Sequence, residues 1–189
     1  MARGAQGLVR TAVVVRAGAA PLWWLGVLAA GTGLLPGGVT GRRIGVMAGA
    51  ALFVVVALWV AYSRRERYLK LARGATRAGR HDVLQDRAVT VRNWRRGHRW
   101  WLALGFLAAV SGSFAVPAAG GMALAGAGAG LWLKAVWLGR READGDALVW
   151  LRVDWLGARS GGPVGKQVKG YRATGTAAGD AAPGGARRR

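Results

Sequence analysis

Ile44-Gly45-Val46-Met47-Ala48-Gly49-Ala50-Ala51-Leu52-Phe53-Val54-Val55-Val56-Ala57-Leu58-Trp59-Val60 is the stretch on which the fold turns. It forms most of a charge-free run of 20 residues, Ile44–Ser63, held between Arg43 and Arg64. At about 1.5 Å per residue such a helix is about 30 Å long, the hydrocarbon thickness of a bilayer. No polar face interrupts it, so it has no side to turn towards water. The stretch reads as a transmembrane helix.

Two further charge-free runs extend the pattern. Ala17–Gly41 is 25 residues long, one more span. Trp100–Leu133 is 34 residues, about 51 Å as one helix and too long for one crossing. Pro117 and Gly120-Gly121 break it into Trp100–Val116 and Met122 to about Leu138. The expected fold is therefore an all-α integral membrane protein with four transmembrane helices arranged as two hairpins. Its segments are a basic N-terminus (1–20), hairpin 1 (21–62), a basic loop (63–99), hairpin 2 (100–139) and an amphipathic segment with a disordered basic tail (140–189). Lys134 falls near a helix end, where its ammonium can snorkel to the headgroups. A cleavable signal peptide is the rival reading of the first span, but no Ala-x-Ala site follows it, and Leu34-Leu35-Pro36-Gly37-Gly38 reads as a span end and turn.

Charge sets the orientation. The protein carries 28 Lys and Arg against 8 acids, net +20. Four spans put 25 basic residues on one side and 2, Arg42 and Arg43, on the other. The positive-inside bias then places both termini and the long loop in the cytoplasm. Seven of the ten tryptophans, Trp23, Trp24, Trp59, Trp100, Trp101, Trp132 and Trp137, fall near the cytoplasmic ends of these spans, as interfacial indoles do. The expected location is a bacterial inner membrane, crossed several times.

Composition excludes much chemistry. Hydrophobic residues make up 52% of the 189, mean hydropathy is +0.21, and there is no cysteine. A disulfide-stapled secreted domain, a wholly disordered chain and a soluble enzyme do not fit. His81 and His98 are the only histidines, and with Glu66, Asp82 and Asp86 they make no metal-ligand spacing. Ser160–Gln167 resembles a phosphate loop superficially, yet has Ser for the first Gly and Gln for the magnesium-binding hydroxyl. Besides Lys134, Tyr62 is the only ionisable side chain in the spans, which argues against a coupled pump or intramembrane enzyme. Thr32, Thr40, Ser111 and Ser113 are too few to line a permease or channel path. No catalytic residue, cofactor or metal is expected.

Function is sought in the basic segments. Arg64–Leu71 continues the second helix beyond the membrane. Leu84, Ala88, Val91 and Trp94 or Arg95 follow helical spacing and suggest a basic amphipathic helix on the headgroups, with a Val89–Val91 strand as the alternative. Asp146–Leu156 reads as a short interfacial helix, or as a strand through Val149, Leu151, Val153 and Trp155. Gly33/Gly37, Gly45/Gly49 and Gly126/Gly130 allow close helix packing, within the bundle or in a homo-oligomer. The candidate contact residues are Arg64, Arg65, Arg67, Arg87, Arg92, Arg95, Arg96, Arg99, Arg187, Arg188 and Arg189. Their possible partners are anionic lipid headgroups, double-stranded DNA and an acidic protein surface.

In size, four-span pattern, charged cytosolic loop and GC-rich residue usage, the chain resembles the spread proteins of conjugative plasmids in mycelial actinobacteria. That resemblance implies a non-enzymatic membrane accessory factor for plasmid DNA transfer, working beside a DNA-translocating ATPase. The alternative is an envelope scaffold whose arginines only set topology and bind lipid.

Overall fold

The computed structural model describes residues 7–35, 39–79, 82–156 and 162–175. It is mostly helical, with β1 Gly7–Arg10, α1 Thr11–Ala17, α2 Ala19–Gly33, α3 Val39–Tyr62, α4 Arg65–Arg73, β2 Thr76–Arg77, β3 Val83–Leu84, α5 Arg87–Ala115, α6 Ala119–Asp144, β4 Ala147–Arg152 and β5 Arg172–Gly175. Three helical stretches, Thr11–Gly33, Gly41–Arg73 and Ala119–Asp144, are long and apolar enough to cross a membrane. The stretch at α5 falls short, because its apolar part begins only at Trp100 and spans about 24 Å. The chain divides into a helical unit (Arg16–Ser63 and His98–Lys134) and a sheet unit (Met1–Val15, Arg64–Gly97 and Ala135–Arg189).

In the helical unit α6 is the common neighbour. A Cβ added at Gly121 would overlap the backbone of Ala30 and Gly26, and one at Gly128 the backbone of Trp23 and Ala19, so α2 runs antiparallel to α6. Gly126 meets Phe53 and Gly130 meets Ala57 and Val60, so α3 runs parallel to it. Gly120 approaches Ala109 and Ser113 of α5, and the buried Ser113 Oγ accepts the Gly121 N–H at 2.8 Å. Close backbone approach through glycine is how apolar helices gain dispersion contact when hydrophobic burial offers little. Gly33, Gly45 and Gly49 likewise face Ser113, Pro117 and Met122 within the chain. Gly37 lies outside the described residues.

The exterior of this unit is apolar. Met47 is 74% exposed, and Trp59 and Trp100 each 71%. Lys134 departs from expectation, because it is buried rather than extended to a surface. Its Nζ donates to Ser63 O at 2.9 Å and Ser63 Oγ at 3.1 Å, satisfying the carbonyl end of α3. The chain leaves α3 through Arg64, whose φ of 59° turns it out of the helix.

Beside the mostly helical fold, the described residues add one small sheet that the sequence reading did not anticipate. Five short strands form one sheet in the order β2-β5-β4-β1-β3, with β1 parallel to β3, β2 parallel to β5, and β4 antiparallel to both β1 and β5. Within the segment expected as the basic N-terminus (1–20), residues 7–17 form strand and helix. The segment from Ala147 is a strand only through Arg152, with Leu148 and Trp150 rather than the expected Val149 entering the core beside Leu8 and Leu151 also buried. Val153–Trp155 form a 3-10 turn instead of continuing it. Within the segment expected to be a disordered tail, residues 162–175 are folded: Val164, Val168 and Tyr171 are buried, and β5 pairs with β4. The remainder of that tail, 157–161 and 176–189, lies outside the described residues. The Val89–Val91 strand alternative is not taken, for those residues are helical within α5.

Candidate functional site

One face of α5 gathers the arginines. Gln85 N–H donates to Leu8 O at 2.8 Å, tying the start of the helix to the sheet. Thr90 donates from both its backbone N–H and its Oγ1 to Asp86 O, at 3.1 and 3.0 Å, and closes the first turn. Along the next turns Arg87, Ala88, Val91, Arg92, Arg95 and Arg96 share a face, because residues four apart stack along a helix. Together with Asp86 they line an open groove of about 680 Å³. All four guanidiniums are exposed, and Asp86 is the only carboxylate lining the groove. Arginine presents a planar fork of donors that suits phosphate oxygens in pairs. Ala88 and Val91 line the same groove between the four arginines.

The other sequence candidates are dispersed. Arg64 forms the left-handed turn between α3 and α4. The Arg65 guanidinium lies over the Trp137 ring, 4.8 Å from its centre, and Arg99 lies 5.7 Å from that of Trp100. Arg67 Nη2 donates to Gly165 O at 3.0 Å. Arg187, Arg188 and Arg189 lie outside the described residues. Of the eleven candidates, four are thus collected on one surface.

Sequence reasoning missed a second basic surface and the connection that holds the sheet unit together. Glu66, Arg67, Leu69, Lys70 and Arg73 of α4 line an open groove of about 570 Å³; the spacing of 66, 69, 70 and 73 was the available signal. Arg10 donates from Nε at 2.9 Å and Nη2 at 2.7 Å to Glu142 Oε2, while Oε1 accepts the Val149 N–H at 3.2 Å. This ties β1, the end of α6 and β4 together, with the Glu142 side chain 4% exposed. No local pattern announces a pair separated by 132 residues. Tyr171 Oη donates to Pro163 O at 2.8 Å. Burial pushes the Tyr171 hydroxyl well above its ordinary range, Tyr68 beside it pushes the same way, and Arg67 opposes both.

Among the described residues, no three His, Asp or Glu side chains gather as metal ligands. The sequence matches no protein-family model, no curated protein and no solved structure.

Proposed function

We propose that this chain is a non-enzymatic accessory protein of a bacterial inner membrane, with four spans and cytoplasmic termini, that assists DNA transfer by presenting the α5 arginines to the phosphate backbone of DNA near a translocase. The observation that carries the reading is the sheet. Its strands come from before α2, from between α3 and α5, and from after α6. An open sheet with polar edges does not straddle hydrocarbon, so these segments belong on one side of the membrane. The chain must then cross an even number of times in each interval. Helices α2 and α3 account for the first; α6 meets the length requirement in the second, and α5 must cross with it. Its short apolar stretch is accommodated by local thinning and by the interfacial Trp100 and Trp101. The excess of cations makes that side cytoplasmic.

Length along α5 favours DNA over lipid for part of the groove. The polar layer of each leaflet is roughly 5–8 Å thick. Arg96 and Arg99 lie within about 6 Å of Trp100 along the axis, but Arg92 is about 12 Å and Arg87 about 20 Å away. The outer two can meet a ligand beyond the headgroups.

The test is binding of a 30-base-pair duplex to the full chain in neutral-lipid nanodiscs at increasing salt. Four phosphate contacts give a log–log slope of about −3.6. The combined change Arg87→Gln and Arg92→Gln lowers its magnitude by about two. Failure of the wild-type chain to bind at low salt would reject the DNA reading. Enrichment of anionic over neutral lipid around the same protein would then support the envelope scaffold, which the nearness of Arg96 and Arg99 to Trp100 favours.

A further inference from the structure

The parallel pairing of β1 with β3 sets Leu8 beside Leu84, and the sequences around that pair match. Leu8-Val9-Arg10-Thr11-Ala12-Val13-Val14-Val15-Arg16 runs against Leu84-Gln85-Asp86-Arg87-Ala88-Val89-Thr90-Val91-Arg92, identical at five of nine positions. Trp23-Trp24 then answers to Trp100-Trp101. Gly26-Val27-Leu28-Ala29-Ala30-Gly31-Thr32-Gly33 answers to Gly105-Phe106-Leu107-Ala108-Ala109-Val110-Ser111-Gly112, identical at five of eight. Each apolar helix is followed by a proline, Pro36 or Pro117, and the next one closes on Arg64-Arg65-Glu66 or Arg140-Arg141-Glu142. Abundant Ala and Val make any one block unremarkable. Several blocks in the same order, the first and last both offset by 76 residues and the first paired in that register, are not expected from composition. Exposure agrees at Trp24 and Trp101 (both 63%) and at Leu28 and Leu107 (59% and 60%) but differs at Trp23 and Trp100 (39% and 71%), so the duplication rests on the register and the matched blocks.

We infer that the chain is a tandem duplication of a strand–helix–helix membrane unit, residues 8–66 and 84–142, with both copies inserted in the same direction, and that only the second copy has become a polyanion-contacting surface. An even number of spans per copy keeps the orientation, giving parallel repeats related by an axis along the membrane normal. The copies differ most between Asn93 and Arg99, which takes in Arg95 and Arg96 at one end of the candidate groove and Arg99 beyond it. In the first, Ala17-Gly18-Ala19-Ala20-Pro21-Leu22 precedes the tryptophan pair and is apolar, with Ala17 and Ala19 buried. In the second, Asn93-Trp94-Arg95-Arg96-Gly97-His98-Arg99 stands there, its three arginines exposed. The twelve residues before Trp23 hold one cation, Arg16, whereas the twelve before Trp100 hold four. Over the 20 residues before each tryptophan pair the counts are three (Arg3, Arg10 and Arg16) and six, so the second copy carries cations beyond those that orient the first. A ligand accounts for them. Its identity as DNA rests on the reading proposed above, whereas the duplication stands on the register and the matched blocks.

The absence of native cysteine makes the test direct. Spin labels at Trp24→Cys and, separately, Trp101→Cys in the full chain in nanodiscs should report the same depth on the same side of the bilayer. Labels at different depths or on opposite faces would overturn the duplication. Replacing Asn93–Arg99 with the sequence of Ala17–Leu22 should leave label depth and orientation unchanged while duplex half-saturation rises at least tenfold. The triple change Arg95→Gln, Arg96→Gln and Arg99→Gln, which leaves the helix length intact, should behave likewise. Inverted or mixed orientation in either variant would show that the arginines serve topology and would overturn the specialisation. Equal depths in a wild-type protein that does not bind duplex would sustain the duplication and reject the DNA reading alone.

Discussion

Trp150 and Trp59 show how the sheet unit and the helical unit differ. Trp150 is fully buried beside Leu8 and Leu148, and its Nε1 donates to Thr174 Oγ1 at 2.7 Å. Trp59 projects from α3 with most of its ring uncovered. The sheet unit keeps its largest apolar side chains inside, as water demands. The helical unit puts glycine and alanine inside and its largest residues outside, as a hydrocarbon surrounding allows. Cohesion therefore comes from apolar burial in one unit and from backbone proximity in the other.

The comparison breaks first at Gly121. Gly121→Leu has no room against Ala30 and Gly26, where backbone rather than a movable side chain is in the way. We expect a loss well beyond the roughly 1–3 kcal/mol of ordinary overpacking, seen as absence of a cooperative thermal transition in detergent. Next comes Trp150→Ala, which should destabilise by about 3–5 kcal/mol, while Trp59→Ala in the same assay should change stability by less than about 1 kcal/mol. Equal effects of the two would erase the distinction between the units. The smallest expected loss within the sheet unit is that of Glu142→Gln. It removes the charge facing Arg10 but retains an acceptor for the Val149 N–H, and the Arg10 side chain is 24% exposed. A loss of about 1–2 kcal/mol is expected, discounted from the buried-pair range because solvent reaches the guanidinium. It is measured by urea titration followed by near-ultraviolet circular dichroism.

Part of this was legible in local sequence. The run Ile44–Val60 identified α3, and Pro117 marked the break between α5 and α6, realised as a turn at Val116–Ala118 in which Ala118 takes a φ of 64°. The four groove arginines were all named, but with Arg64, Arg65, Arg67 and Arg99 beside them. Their separation depended on partners such as Trp137 and Gly165, which are remote in sequence. The sheet left almost no trace. Two of its strands are two residues long, too short for any alternation to register, and β5 stands in a Gly-rich segment where composition pointed to disorder.

By itself the sequence determined where apolar helices run, where they break, and where along the chain the cations cluster. Those properties depend on each residue's own transfer free energy and charge, summed over a window of about 20 residues. Tertiary structure decided the rest: that Lys134 turns inward to Ser63, that Glu142 joins Arg10, and that three segments separated by apolar helices share one sheet. These are pairings, and a pairing depends on the distance between residues far apart in the chain, which no window along it contains. The match of Leu8 to Leu84 stood in the sequence throughout, but it took the strand register to select that alignment from the many that an Ala-, Gly- and Val-rich chain offers.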